Sequence, residues 1–286
     1  MRIIDLLNTG RPTISCELFP PKHGEQLAQA REVVHATAAL KPAFISVTYG
    51  AGGGTSDYTI SLADEVQNVC GIPVLTHLTC VSHDRATVRD ILTELRARGI
   101  ENVLALRGDI PEDRSFPTQE QGRYCYASEL IEEIANFGGF CIGGACYPEG
   151  HPEAASIEAD IENLKIKVAR GCEFLTTQMF FDNEVLYRFL DRLSRAGIDV
   201  PIVAGIMPVT NAAQITRICA LSGTELPPRL AALVKTHADD AAAMRAAGVA
   251  YATEQITDLM AQGVTHIHIY TMNKPDIAAD IMANLN

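Results

Sequence analysis

Eight apolar, strand-like runs, a helical pattern after each, and four returns into strand through a glycine predict an α/β chain closed as a (βα)8, or TIM, barrel. The runs lie near 13–18, 43–48, 73–78, 102–106, 140–146, 173–178, 201–206 and 265–270. Strands that alternate with helices pair in parallel, because a parallel neighbour needs a crossover of about a dozen residues or more. In "RARGIENVLAL", "VARGCEFLTT", "SRAGIDVPIVA" and "MAQGVTHIHIY" the glycines Gly99, Gly171, Gly197 and Gly263 fall where a helix ends and a strand begins, the place of a left-handed cap. A doubly wound sheet is the other arrangement of such units, but it wants a glycine-rich dinucleotide turn after its first strand. There the chain reads "FPPKHGE". With 286 residues, 47% of them hydrophobic, the chain has the length of one such barrel, which takes about 250 residues, so a single catalytic domain over 1–286 is expected.

Chemistry in a barrel belongs at the C-terminal ends of its strands, so each element is read to that end. Strand one, in "TISCELFPPK", stops on Glu17; a carboxylate closing an apolar run is costly to bury unless it is used. Strand two ends in "SVTYGAGGG" with Thr48 and Tyr49. The loop "GAGGGTSD" lacks both the Walker lysine and GxGxxG spacing, so its plainer reading is a βα loop capped by Ser56 or Asp57. Strand three ends in "LTHLTC" with His77, which taken alone reads as a hydrogen-bonded core imidazole. Strand four ends in "LALRGD" with Arg107 and Asp109, and a polar insertion, "PEDRSFPTQEQGRYC", follows over 111–125. Strand five ends in "GGACYPEGHPEA" with Tyr147, Glu149 and His151. Its helix carries a core stripe of Ile157, Ile161, Leu164 and Val168, and Asp160, Asn163 and Lys167 share another face. That second face is either solvated or a polar ladder for a ribose, adenine or pyrophosphate. Strand six delivers Gln178 and Asp182. Strand seven delivers nothing ionisable and precedes an extra helical segment over 224–263. Strand eight delivers Tyr270, Asn273 and Lys274. A converging site accounts for this rim better than scattered loop polarity.

Composition narrows the class. A net charge of −12 with no basic patch argues against nucleic acid as a partner. No 18-residue apolar run and no charged-then-apolar leader are seen, so neither a membrane span nor a signal peptide is expected. The eight cysteines form no CxxC pair and sit mostly in apolar runs. They read as reduced, buried thiols of a cytoplasmic protein, not as zinc or iron–sulfur ligands. A homo-oligomer is the expected assembly.

The runs "SCELFPPK", "FISVTYGA", "THLTC", "LALRGD", "YASEL", "YPEGHPEA", "NLKIKV", "TTQMFFD", "IVAGIMPVTN" and "YTMNK" occur in an order that resembles the catalytic barrel of the methylenetetrahydrofolate reductase family, in its bacterial single-domain form, from about Ser15 to about Asp276. The resemblance implies a barrel that binds FAD without a Rossmann fold and reduces methylenetetrahydrofolate to methyltetrahydrofolate in one-carbon metabolism. The expected route is ping-pong, with NADH or NADPH as the electron donor. It implies that Glu17 is the general acid that opens the folate ring, its pKa raised by apolar packing against neighbours such as Leu18 and Phe19. It implies that Asp109 serves catalysis and touches both flavin and pterin. Thr48, Tyr49, Ala51, His77, Arg107, Gly108, Tyr126, Ala127, Tyr147, His151, Asp160, Asn163 and Lys167 fall on its FAD-contact positions. Gln178, Gln214 and Lys274 fall on its folate-contact positions. Ile218 stands where the family's stacking aromatic is expected, and Ile166 replaces a basic residue on the cofactor helix. Two further readings are carried: a catalytic subunit that works only with an electron-transfer partner protein, and a metal-dependent barrel lyase or hydrolase that would draw on Glu17, His77 and Asp109.

Overall fold

The computed structural model describes residues 1–21, 23–49, 56–81, 83–109 and 122–285. Eight parallel strands close in chain order into a barrel: β1 (Thr13–Leu18), β2 (Ile45–Val47), β3 (Val74–Thr79), β4 (Asn102–Leu106), β5 (Cys141–Cys146), β6 (Phe174–Thr177), β7 (Ile202–Ile206) and β8 (His266–Tyr270). Each falls within a few residues of its expected run. β1 pairs with β8, which completes the closure.

The period-two alternation of a strand divides each one between two cores. In β1, Cys16 and Leu18 face outward into the large core under the helices, with Val47, Leu78, Ile206 and Ile269. Ser15 and Glu17 face the barrel axis. The floor of the barrel is filled by Phe44, Leu75, Leu104, Cys141, Phe174 and Val203, and a short helix, α1 (Ile3–Leu7), plugs it from below with Ile3 and Leu7. Each fully buried Phe or Ile contributes about 1.5–3 kcal/mol through removal from water. Gly143 belongs to this design, because a Cβ there would stand 2.5 Å from the Phe174 ring.

The outer layer is α2 (Leu27–Ala38), α3 (Ser56–Asp64), α4 (Arg85–Ala97), α5 (Ala127–Phe137), α6 (Ile157–Ala169), α7 (Asn183–Arg195), α8 (Ala212–Ser222), α9 (Pro228–Thr236), α10 (Ala241–Ala261) and α11 (Pro275–Asn284). Among the described residues, side-chain caps start five of them. Asp84, Ser156, Asp182, Asn211 and Asp240 accept from the first free backbone N–H groups of α4, α6, α7, α8 and α10. The expected glycine caps all have left-handed backbone, with φ of +71° at Gly99, +111° at Gly171, +72° at Gly197 and +87° at Gly263. The segment 224–263 resolves into α9 and α10. Of the polar insertion, 111–121 lies outside the described residues, and Tyr124 at its end is buried beneath Arg85, 4.7 Å from guanidinium to ring centre.

Candidate active site

Glu17 sits one residue before the end of β1, in register with Ser46 of β2 and Tyr270 of β8, and points into the barrel mouth. It is 9% exposed. Burial lifts its carboxyl to about 8. The nearest basic group is His77 from β3, with Nε2 3.7 Å from Glu17 Oε2. Burial pulls the His77 ring down to about 3. Both shifts disfavour charge, so at neutral pH the contact is between a carboxylic acid and a neutral imidazole, not an ion pair. The enclosure comes from within the barrel. Leu18, expected to desolvate Glu17, points the other way, into the outer core.

Backbone contacts hold this corner still. Thr271 Oγ1 donates to the Glu17 carbonyl at 2.6 Å. Asn273 accepts from the Phe19 N–H at 2.8 Å and donates to the Phe19 carbonyl at 3.1 Å, fastening the loop after β8 to the loop after β1. Asn273 is therefore a strut at the rim. Tyr270 reaches across the mouth and donates to the Thr177 carbonyl at 2.5 Å. Its phenol is raised by burial first and then by the acidic groups of Glu17, Cys146 and Tyr147, which places it between the Glu17 corner and the Tyr147 side of the mouth.

Beside this corner two cavities adjoin. The first, about 380 Å³, opens over β2 to β6 and is lined by Tyr49, Arg107, Gly108, Asp109, Ala127, Tyr147, His151, Lys167 and Gln178, among others. The second, about 650 Å³, runs out along α6 and includes Tyr126, Asp160, Asn163, Ile166 and Arg170. They share Arg107, Ala127, His151, Glu153 and Lys167 as walls. Arg107 and Glu153 form a two-pronged pair. Asp160, buried, accepts from the His151 N–H at 3.0 Å, and the His151 ring stands edge-on to Tyr147 at 4.6 Å. Lys167 Nζ donates to the Ala145 carbonyl at 2.7 Å, and burial lowers its pKa. At Gly108 (φ +84°) a Cβ would lie 2.9 Å from Thr79, so the bare backbone forms a close floor.

The structure thus gathers most of the expected residues. The ladder Asp160, Asn163 and Lys167 faces the second cavity together, and Gln178 faces the first. Thr48, half-buried, closes β2 beside β1, donating its N–H to the Leu18 carbonyl at 2.9 Å. His77 lies deeper, next to Glu17. Gln214, in the first turn of α8, and Lys274, on the loop after β8, are exposed and line neither cavity, and Lys274 Nζ reaches Thr210 Oγ1 at 3.5 Å. Ala51 lies outside the described residues. Glu149 and Asp182, rim residues in the sequence, turn outward: Glu149 accepts from the Glu225 N–H at 2.9 Å and Asp182 caps α7. Ile218 is half-buried against Met179 and Phe181. Three residues of the site were not singled out in the sequence. Glu153 lies inside "YPEGHPEA", and nothing in its spacing links it to Arg107. His83 bonds the Tyr49 hydroxyl at 2.8 Å, and Thr79 floors the first cavity.

Known proteins bear on this geometry. The family model described as Methylenetetrahydrofolate reductase matches residues 2–286. The 5,10-methylenetetrahydrofolate reductase of Escherichia coli K12 is 36% identical over 276 residues, covering 96% of this chain and 91% of that protein. Methylenetetrahydrofolate reductase (NADH) 1 of Arabidopsis thaliana is 33% identical over 300 residues, and this chain spans 51% of its length, about half, as it does for the maize and rice relatives. A solved Clostridium thermocellum protein, described as uncharacterized and as binding two copies of 5-methyl-5,6,7,8-tetrahydrofolic acid, superposes over 99% of this chain and 98% of its own, with a TM-score of 0.66 and 14% identity; that likeness establishes the barrel alone. With a closed eight-strand barrel, an acid buried at its mouth, and a family match over essentially the whole sequence, the chain belongs to the methylenetetrahydrofolate reductase family.

Proposed function

We propose that the chain reduces methylenetetrahydrofolate to methyltetrahydrofolate, with FAD as resident cofactor and NADH or NADPH as electron donor, in a ping-pong sequence. The observation that carries this reading is Glu17: a buried carboxyl, lifted to about 8, at the mouth of the barrel beside a cavity that continues outward along α6.

The residues present fit FAD. The two joined cavities have the elongated course of a dinucleotide. The close floor at Gly108 suits a flat ring laid on backbone, and Lys167 has a single hydrogen bond among the described residues, leaving ammonium hydrogens for a pyrophosphate. Arg107, Gly108, Tyr147 and Lys167 would hold the inner half, and Tyr126, Asp160, Asn163 and Arg170 the outer half. Bound there, FAD supplies hydride chemistry between the nucleotide and the folate.

The chain's own part is proton supply and orientation. The bridged ring of the folate must open before hydride can land on its one-carbon unit, and opening needs a proton on the departing nitrogen. Glu17 carries that proton at neutral pH and becomes a carboxylate on giving it up. Gln178 accepts the Met179 N–H at 2.9 Å through Oε1, which fixes the amide and leaves its NH2 to donate to a pterin acceptor. Asp109, exposed on the cavity wall, offers an acceptor to a pterin donor. Gln214 and Lys274 on the outer rim suit the far end of the substrate. Lys274 can meet a tail carboxylate as a point charge.

Anaerobic titration of the purified chain tests this. NADH or NADPH should bleach the flavin band, and methylenetetrahydrofolate should restore it. Glu17→Gln should keep the bleaching and lose the return. If both half-reactions fall together, Glu17 is not the acid; if the chain holds no flavin, the reading fails altogether. Bleaching by methyltetrahydrofolate but by neither nucleotide would mean that a partner protein delivers the electrons.

A further inference from the structure

We propose that His77 is the positioning residue for Glu17: its ring stays neutral, carries hydrogen on Nε2, and donates that hydrogen to the carboxylate that Glu17 becomes when its proton leaves. The inference rests on the reading of Glu17 as the acid and adds a residue to it.

Two geometric facts support it. First, His77 Nε2 is buried and has no hydrogen-bond partner, although buried polar atoms are nearly always paired. Glu17 Oε2 stands 3.7 Å away, too long for a bond and short enough for one to form if the acceptor becomes charged. A protonated carboxyl gives the imidazole little reason to close that gap; a carboxylate does. Second, proton counting shows that no neighbour below can exchange a proton with this pair. Ser15 Oγ gives its one hydrogen to the Ile267 carbonyl at 3.0 Å, so at 2.7 Å it must accept from His268 Nδ1. Ser46 Oγ lies 3.0 Å from His268 Nε2 and donates to it. Burial keeps His268 neutral, so with hydrogen on Nδ1 its Nε2 accepts from Ser46 and both nitrogens are engaged.

The groups that face Glu17 are Ser46 from β2, His77 from β3 and Tyr270 from β8. Tyr270 is spent on the Thr177 carbonyl, which leaves His77 as the donor. The ring does not take up a proton instead, because burial opposes an imidazolium there. The step balances simply: the proton passes from Glu17 to the substrate nitrogen, and His77 contributes a hydrogen bond and transfers nothing.

The test is the carboxyl stretch of Glu17 in the infrared, assigned by its loss in Glu17→Gln and followed against pH in the purified protein without folate. His77→Leu should move the midpoint up by about one pH unit or more, since the carboxylate loses its donor, and His77→Gln, which keeps an N–H, should hold the native midpoint. Nitrogen-15 spectra should show the His77 ring neutral, with hydrogen on Nε2, across the whole titration. An unmoved midpoint in His77→Leu, or an imidazolium signal, overturns the proposal. Were Glu17→Gln to retain folate turnover, the acid assignment itself would fail; the band shift would still report the contact.

Discussion

Arg107 and Glu153 meet two-pronged across the wall shared by the two cavities, Nη1 to Oε2 at 2.5 Å and Nη2 to Oε1 at 2.7 Å. One comes from the end of β4 and the other from the loop after β5, so the pair staples neighbouring loops. Glu153 is well exposed, and exposed pairs contribute only about 0–1 kcal/mol to folding. Its value is therefore in shape. Glu153→Ala is expected to weaken FAD binding about tenfold, or about 1.4 kcal/mol, through a loosened wall. The flavin-free protein should lose less than about 1 kcal/mol in a denaturant melt. A large stability loss with unchanged flavin affinity would assign the pair to folding instead.

Lys167 should show the opposite balance. Its ammonium is desolvated, which lowers its pKa, and among the described residues only the Ala145 carbonyl receives a hydrogen bond from it. Asp160, its nearby carboxylate, is committed to the His151 N–H. A charge held this way costs the free protein stability and is offset when an anion binds. Lys167→Met is expected to leave the flavin-free protein as stable or more stable, and to reduce FAD affinity by at least about tenfold. Fluorescence titration beside thermal melts of the flavin-free protein decides it; a variant that melts earlier yet binds flavin normally would refute the anion role.

Buried titratable groups give stability a pH dependence with two limbs. Glu17 keeps its proton up to about 8, whereas the unfolded chain releases it near 4.5. Across that window the folded state binds more protons, so rising pH favours unfolding, by up to about 1.4 kcal/mol per pH unit. Glu17→Gln should flatten this limb and be the more stable protein at pH 8. His77 and His268 act on the acid side. Each stays neutral down to about 3 while the unfolded imidazole takes up a proton near 6.5, so stability falls as pH drops through that range. Denaturant melts of wild type and Glu17→Gln across the pH range measure both limbs, and identical slopes for the two proteins above pH 5 would place the Glu17 carboxyl in water.

The barrel was legible because its signals are local. Alternating strands, helical stripes and terminal glycines each need a few neighbouring residues, and all eight strands lie where those patterns put them. The ladder on α6 was legible as a shared face, but its purpose was not, since only the cavity beside it separates a ligand wall from a solvated one. Pairings between distant residues were illegible. Taken alone, His77 read as a satisfied core imidazole, yet His268 fills that part with Ser15 and Ser46, while His77 Nε2 is buried without a partner. Asn273 read as a site residue from its position after β8; its amide closes on the Phe19 backbone, a contact across 254 residues that no spacing announces.

Gly205 tests how the mouth is shaped. A Cβ at this position of β7 would stand 2.5 Å from the Tyr270 hydroxyl oxygen and 2.6 Å from the Thr177 carbonyl oxygen. The missing side chain is what lets Tyr270 pass over β7 to that carbonyl on β6. Gly205→Ala is expected to cost about 1–3 kcal/mol, the usual range for an overpacked core. Part of the strain falls on a removable atom, so Gly205→Ala with Tyr270→Phe should cost less than the two changes summed, by roughly 0.5–3 kcal/mol. The remainder should persist, because Tyr270 Cε2, 2.6 Å from the added Cβ, stays in a phenylalanine and the Thr177 carbonyl belongs to the barrel backbone with little freedom to retreat. Urea melts of the two single variants and the double variant complete the cycle, and strict additivity would show that Tyr270 and Gly205 do not constrain one another.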